Sequence, residues 1–156
     1  MFVGNGFDIH KHSKDENLIL GGINIDGDGF EAHSDGDIIL HSLCDALLGS
    51  KAKKDLGYYF PSNETTPKGI SSVDMLNKVL EIIEIDKLKI NNIDITVLSQ
   101  VINISKISNN ICSNLANLLN IDKNVINVKG KSFDHLGVIG DGTASACMVL
   151  VSVENA

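Results

Sequence analysis

Residues 36–50, GDIILHSLCDALLGS, restrict the possible folds more than any other stretch of the chain. Ile39, Leu43 and Leu47 recur every four residues and Gly49 lies near the end, so the spacing predicts a helix whose apolar stripe must be covered. Asp37, His41 and Asp45 stand at i, i+4 and i+8, which places them on one helical face. Acidic residues at a helix start complement its dipole, which accounts for Asp35 and Asp37 but not for His41. Strand character in 2–9, 18–25, 90–101, 124–129 and 144–153 supplies the cover, with a hairpin turn expected at Gly27-Asp28-Gly29. Two further helices are predicted. One runs from a cap at Ser71 or Ser72 to about Ile85, with Asp74 in its first turn. The other follows Ile104, Ile107, Ile111, Leu115 and Leu118. Residues 51–70 hold both prolines, Pro61 and Pro67, and read as a long functional loop. The pattern predicts an α+β two-layer sandwich, a mixed sheet with about three helices on one face. One domain over 1–156 fits the length.

Composition narrows the function. The chain is 43% hydrophobic and 21% charged, a globular balance. Thirteen basic against 20 acidic residues give a net charge of −7, which argues against a nucleic-acid partner. No apolar run approaches the roughly 20 residues of a membrane span. The N-terminus MFVGNGFDIH shows no secretory pattern, and Cys44, Cys112 and Cys147 form no CxxC pair. The expected location is the bacterial cytoplasm, or a plastid-type organelle if a transit peptide has been removed. All 13 basic residues are Lys. A bound phosphate would therefore be held by Lys, backbone N–H groups, hydroxyls or a metal, never by a guanidinium fork.

Three constellations carry chemistry. In an extended Asp8-Ile9-His10, Asp8 and His10 share a face with Cα atoms roughly 7 Å apart. Alone, such a pair reads as a strand-end Asp and an exposed His. With HSDGDxxxHxxxD (His33 to Asp45) it becomes specific: Asp8, His10 and His41 can hold one Zn²⁺ and leave a fourth position open, as catalytic zinc sites do. Asp45 would hold the His41 ring or contact a polyol. Lys129-Gly130-Lys131-Ser132-Phe133-Asp134, after a strand, could bind a phosphate and its divalent ion, although such turns are commonly solvated loops.

The ordered motifs GxGFDIH (Gly4 to His10), Gly21-Gly22, AHSDGDxxxHxxxDALLG (Ala32 to Gly49), DLGxxFP (Asp55 to Pro61), Lys68-Gly69, DITVLSQ (Asp94 to Gln100), Asn127 to Lys129 and Leu136-Gly137 cover nearly the whole chain. On them the chain resembles the 2-C-methyl-D-erythritol 2,4-cyclodiphosphate synthase family of non-mevalonate isoprenoid biosynthesis. The resemblance implies a phosphorus–oxygen lyase. It cyclises 4-diphosphocytidyl-2-C-methyl-D-erythritol 2-phosphate to the 2,4-cyclodiphosphate and releases CMP. It implies a homotrimer with shared active sites, one Zn²⁺ per subunit on Asp8, His10 and His41, and a second divalent ion, Mg²⁺ or Mn²⁺, on Asp134. Substrate contacts are implied at Asp8, Ile9, His10, His33, Ser34, Asp45, Asp55, Leu56, Gly57, Phe60, Pro61, Ser62, Asn63 and Glu64. A neighbouring subunit would add Ser99, Gln100, Val101, Ile102, Asn103, Ile104, Ser105, Lys129, Lys131, Ser132, Phe133 and Asp134 around the cytidine and α-phosphate. His33, Ser132 and Asp134 are the implied catalytic positions.

The chain departs from the family pattern at three places. Ile102-Asn103 replaces a usual Pro-Lys, Asp134 replaces a usual Glu, and Asp141 stands where Arg is frequent. Two other readings remain: a non-catalytic zinc- or nucleotide-binding trimer of the same fold, and an unrelated zinc hydrolase. The latter leaves the matches beyond residue 50 unexplained.

Overall fold

The structure is a computed structural model that describes residues 1–156. In chain order its elements are β1 (Phe2–Leu20), β2 (Ile23–Phe30), α1 (Ile38–Ser50), α2 (Leu56–Tyr59), α3 (Ser72–Ile82), β3 (Leu88–Leu98), α4 (Ile104–Leu119), β4 (Ile126–Lys131), α5 (Gly137–Gly140) and β5 (Ala144–Asn155). The strands form one sheet in the order β2-β1-β5-β3-β4. β1 is antiparallel to β2 and β5, β5 is antiparallel to β3, and β3 and β4 are parallel. A parallel pair requires a crossover, and α4 makes it. The result is the expected α+β fold with a mixed sheet, in which α1, α3 and α4 are the long helices and α2 and α5 are single turns.

Alternation along β5 shows which face the helices cover. Cys147, Val149, Val151 and Val153 are buried, whereas Met148 and Leu150 are about half exposed. The buried row meets Leu43 and Leu47 of α1, Leu76 and Val79 of α3 and Ile111 and Leu115 of α4 in one core. Each such side chain contributes about 1.5–3 kcal/mol by leaving water. Leu43 and Leu47, read from the four-residue spacing, are fully buried.

Two glycines determine how closely α1 lies on the sheet. A Cβ on Gly4 would sit 1.9 Å from the Ala46 carbonyl oxygen, and one on Gly6 would sit 1.8 Å from that of Ser42. Strand backbone therefore rests directly on helix backbone, and Asp8, two residues beyond Gly6, meets His41 on α1.

Three local expectations change. The hairpin turn is Gly21-Gly22, with φ of 60° and 79°, flanked by the pair Leu20 and Ile23. A two-residue turn of this hand needs both positions left-handed, which glycine adopts without strain, while Gly27-Asp28-Gly29 lies within β2. The long loop contains α2, whose N-cap Asp55 accepts from Tyr58 N at 3.0 Å. The first helix starts at Ile38, because Gly36 is left-handed (φ 77°) and Asp37 is the cap.

Candidate active site

Alternation on β1 turns Asp8 and His10 toward α1, and the first turn of α1 presents His41. His10 Nε2 lies 2.9 Å from Asp8 Oδ2, and His41 Nδ1 lies 3.0 Å from the same oxygen. One ligand atom from each residue falls within 4.8 Å of the others. The remaining ring nitrogens are tied elsewhere. His10 Nδ1 donates to the Glu31 carbonyl at 3.0 Å. His41 Nε2 faces Ser72 Oγ at 2.9 Å and Ser34 Oγ at 3.1 Å. The Ser72 hydroxyl in turn donates to Asp35, which also accepts Ser72 N at 2.9 Å. These bonds orient both rings with their second nitrogen toward Asp8. The donor set, two imidazoles and one carboxylate with their outer nitrogens hydrogen-bonded, fits a zinc-like divalent ion.

The same geometry polarises the cluster. Burial favours the neutral Asp8 carboxyl, but hydrogen bonds and charge from His10 and His41 hold it well below the usual carboxylate range. Burial disfavours charge on His10, yet its bond to Asp8 raises its pKa above the ordinary value.

The triad opens into a cleft of about 230 Å³ lined also by His33, Ser34, Asp45, Leu56, Gly57, Phe60, Ser62 and Thr66. His33 Nε2 donates to the Thr66 carbonyl at 2.8 Å, which ties the loop after α2 to the segment before α1. Pro61, Asn63 and Glu64 adjoin the cleft without lining it, and Ile9 points to the opposite face of the sheet. Two expectations change here. Asp45 lines the cleft but does not hold the His41 ring; its Oδ1 accepts Leu56 N at 2.7 Å, and Ser72 and Ser34 hold the ring instead. Asp37 does not share the face of His41. Its fully buried carboxylate accepts Gly21 N, Gly22 N, Ile39 N and Leu40 N, joining hairpin turn to helix start, and burial pushes its pKa up to about 6. The roles of Ser72 and Asp35 had no local signal, because the bonds connect segments 31 to 37 residues apart in sequence.

A second cleft, about 350 Å³, is lined by Ser99 to Ser105, Gly130, Lys131 and Ser132. No lining residue is common to it and the triad cleft. Gln100 Oε1 accepts Phe133 N at 3.3 Å and His135 N at 3.4 Å, holding the exposed turn after β4. Asp134 and His135 in that turn are both left-handed, with φ of 49° and 63°. Such backbone strain in non-glycine residues concentrates at functional sites. Lys129 points to the other side of the sheet, paired with Asp94, so it does not line this cleft. Asp141 is exposed and accepts Thr143 N at 2.8 Å.

Comparison with known proteins places this arrangement. Residues 1–154 match the model of the YgbB family. The 2-C-methyl-D-erythritol 2,4-cyclodiphosphate synthase of Wigglesworthia glossinidia brevipalpis is 44% identical over 158 aligned residues, covering 98% of this chain and 100% of that protein. The Halothermothrix orenii protein of the same name is 38% identical, covering 97% and 93%. The solved CDP complex of IspF from Plasmodium falciparum aligns with a TM-score of 0.86 at 38% identity, covering 99% of this chain and 96% of that one.

Proposed function

The chain belongs to the YgbB family, and on that premise we propose how its two clefts carry out one cyclisation. The activity is that of a lyase: 4-diphosphocytidyl-2-C-methyl-D-erythritol 2-phosphate is closed to the 2,4-cyclodiphosphate with loss of CMP. An oxygen of the 2-phosphate forms a bond to the β-phosphorus. The bond from that phosphorus to the α–β bridging oxygen breaks, and CMP leaves with the oxygen. Phosphoryl transfer of this kind depends on positioning and charge neutralisation rather than on a covalent nucleophile.

The Asp8–His10–His41 cluster at the mouth of the first cleft carries this reading. These three residues would hold Zn²⁺, which when bound supplies positive charge to the phosphate groups. His33 and Ser34 would position the transferred phosphate. Asp55, Leu56 and Gly57 would hold the methylerythritol hydroxyls, with Phe60 to Glu64 closing over them. Ser99 to Ser105 and Lys131 to Phe133 would take the cytidine and α-phosphate, with Ser132 donating its hydroxyl. Asp134, exposed on its strained turn, would hold Mg²⁺ or Mn²⁺, which when bound would supply positive charge near the α-phosphate. A chain with no Arg has no guanidinium to share that task.

The two halves of this site are separate clefts within one chain, which supports completion by a second copy. The sheet face away from the helices supports the same reading. Phe7 and Met148 face each other in register there, with Val3, Ile9 and Leu150 beside them, all 44–55% exposed. A contiguous apolar surface of this kind marks an interface. The turn 131–138 is exposed throughout, including Leu136 and Val138. The assembly is a homotrimer whose neighbours join a triad cleft to a nucleotide cleft.

The test is CMP release from the cytidyl substrate, with zinc measured by elemental analysis. His41→Ala should lose bound metal and CMP release while keeping the far-ultraviolet spectrum of the folded protein. Full turnover by a metal-free protein would overturn the triad assignment.

A further inference from the structure

We propose that His12 and Ser145 are positioning residues for the nucleotide loop 99–105, which they hold through an unbroken hydrogen-bond chain ending on Ser99. This rests on reading the cleft around Ser99 to Ser132 as the cytidine site.

The loop is a wall with a cavity on each side. Val101, Ile102 and Asn103 line the 350 Å³ cleft in front, and the same three line a larger cleft of about 730 Å³ behind. Val101 is 61% exposed. Ile102 and Ile104 pack on the core, but Val101 and Asn103 are exposed and α4 begins without a side-chain cap, so the loop backbone needs a hydrogen-bonded anchor. Its anchor is Ser99. Ser99 Oγ accepts Val101 N at 3.3 Å and Ile102 N at 3.1 Å.

Ser99 is itself held from across the sheet. Its Oγ lies 2.8 Å from Ser145 Oγ, and Ser145 Oγ lies 2.8 Å from His12 Nε2. The chain crosses from the end of β3 through β5 to β1. His12 is fixed in turn by β2. Its Nδ1 lies 3.2 Å from the Asp28 carbonyl, and its ring packs on Phe30 at 4.6 Å between centroids. A carbonyl can only accept, so Nδ1 carries the hydrogen and the neutral ring accepts at Nε2. Ser145 then donates to His12, Ser99 donates to Ser145, and the Ser99 oxygen remains free to accept the two loop amides. Every donor and acceptor is used once its neighbour's direction is set. Ser145 is fully buried and Ser99 is 6% exposed, so water does not readily replace a lost member.

The zinc-loaded protein is compared as wild type, Ser145→Ala, His12→Leu and His12→Gln. The Gln amide reaches the position of Nε2 and keeps a partner for Ser145. Three readouts are taken: amide exchange at Val101 and Ile102, CDP affinity by calorimetry, and KM against kcat. Ser145→Ala and His12→Leu should each speed exchange at those two amides and weaken CDP about fivefold, the order carried by one neutral hydrogen bond. KM should rise more than kcat falls, with zinc content unchanged. His12→Gln should recover most of the loss. Unchanged exchange and CDP affinity in Ser145→Ala would overturn the proposal. So would faster exchange spread evenly over the sheet, the mark of a merely structural role. If the wild type binds no CDP, the cytidine reading of the cleft fails, while exchange at Val101 and Ile102 still decides the hydrogen-bond chain.

Discussion

Gly6→Ala tests whether the close approach of β1 to α1 builds the metal site. The added Cβ would lie 1.8 Å from Ser42 O, 2.8 Å from Ser42 C and 2.9 Å from Ala46 N. Reaching even a tight 3.0 Å contact with Ser42 O requires the strand and helix to separate by at least 1.2 Å. Both opposing surfaces are backbone, so no side chain can rotate away. Overpacking costs about 1–3 kcal/mol, and the upper end is expected here. In a domain of this size about 3 kcal/mol lowers Tm by roughly 6–12 °C. The site should suffer more than the fold. Asp8 is two residues along the same strand and must reach His41 on the helix being displaced, where they now stand 3.0 Å apart. Metal ligands tolerate about 0.2 Å. Zinc affinity should therefore fall by roughly 100-fold, the upper end for changes that misplace a ligand. The assay is zinc titration of the metal-free protein beside a thermal melt. Gly49→Ala is the control. Its Cβ meets only Asn5 O, at 3.8 Å, and glycine inside a helix costs about 0.5–1 kcal/mol relative to alanine, so this variant should be slightly stabilised. Wild-type stability and zinc affinity in Gly6→Ala would refute the reasoning.

Asp37→Asn should cost about 2 kcal/mol in urea unfolding, because its amide NH₂ would oppose the Gly22 N–H that Oδ2 now accepts. Burial raises the folded pKa of Asp37 from 3.8 to about 6, so the contribution of its protonation is full below 3.8 and is lost as pH rises through about 6; the deficit of the Asn variant should narrow over that interval, and a widening one would contradict it. In the metal-free protein His10 should titrate above 6.5 by nuclear magnetic resonance, its stabilising effect full below 6.5 and fading as pH rises through the raised value. Asp8→Asn should bring that midpoint to 6.5 or lower, since burial then acts without the carboxylate; an unmoved midpoint would rule out Asp8 as the cause. Mixing inactive His41→Ala with inactive Asp134→Ala chains should restore part of the CMP release, because some interfaces then join two intact halves; an active monomer by light scattering would exclude the shared site.

Much was readable in the sequence because it depends on short-range periodicity. Two-residue alternation placed Asp8 and His10 on one face of a strand, and four-residue spacing buried Leu43 and Leu47 on α1. Those two rules, with the HSDGDxxxH motif, are enough to bring Asp8, His10 and His41 together. The same rules failed at element ends. Four-residue spacing puts Asp37 on the helix face although it is the cap, and composition favours Gly27-Asp28-Gly29 for a hairpin turn that lies at Gly21-Gly22. Turn position depends on backbone dihedrals that periodicity does not encode, and both Gly21-Gly22 and Gly27-Asp28-Gly29 are suitable compositions.

What the sequence by itself determined is the inventory and its local geometry: an α+β order of elements, two imidazoles and a carboxylate able to converge, and no guanidinium for any phosphate. Tertiary structure alone decided what holds that inventory in place. Ser72 and Asp35 orient His41, Asp45 anchors Leu56, and His12 reaches Ser99 through Ser145. The members of these bonds lie between 11 and 133 residues apart where they join different elements. A hydroxyl or carboxylate has no preferred partner at such distances until the chain is folded. The partner is whichever donor or acceptor the packing of the helices on the sheet brings within about 3 Å, and for α1 on β1 that approach depends on Gly4 and Gly6, where a Cβ would meet helix backbone.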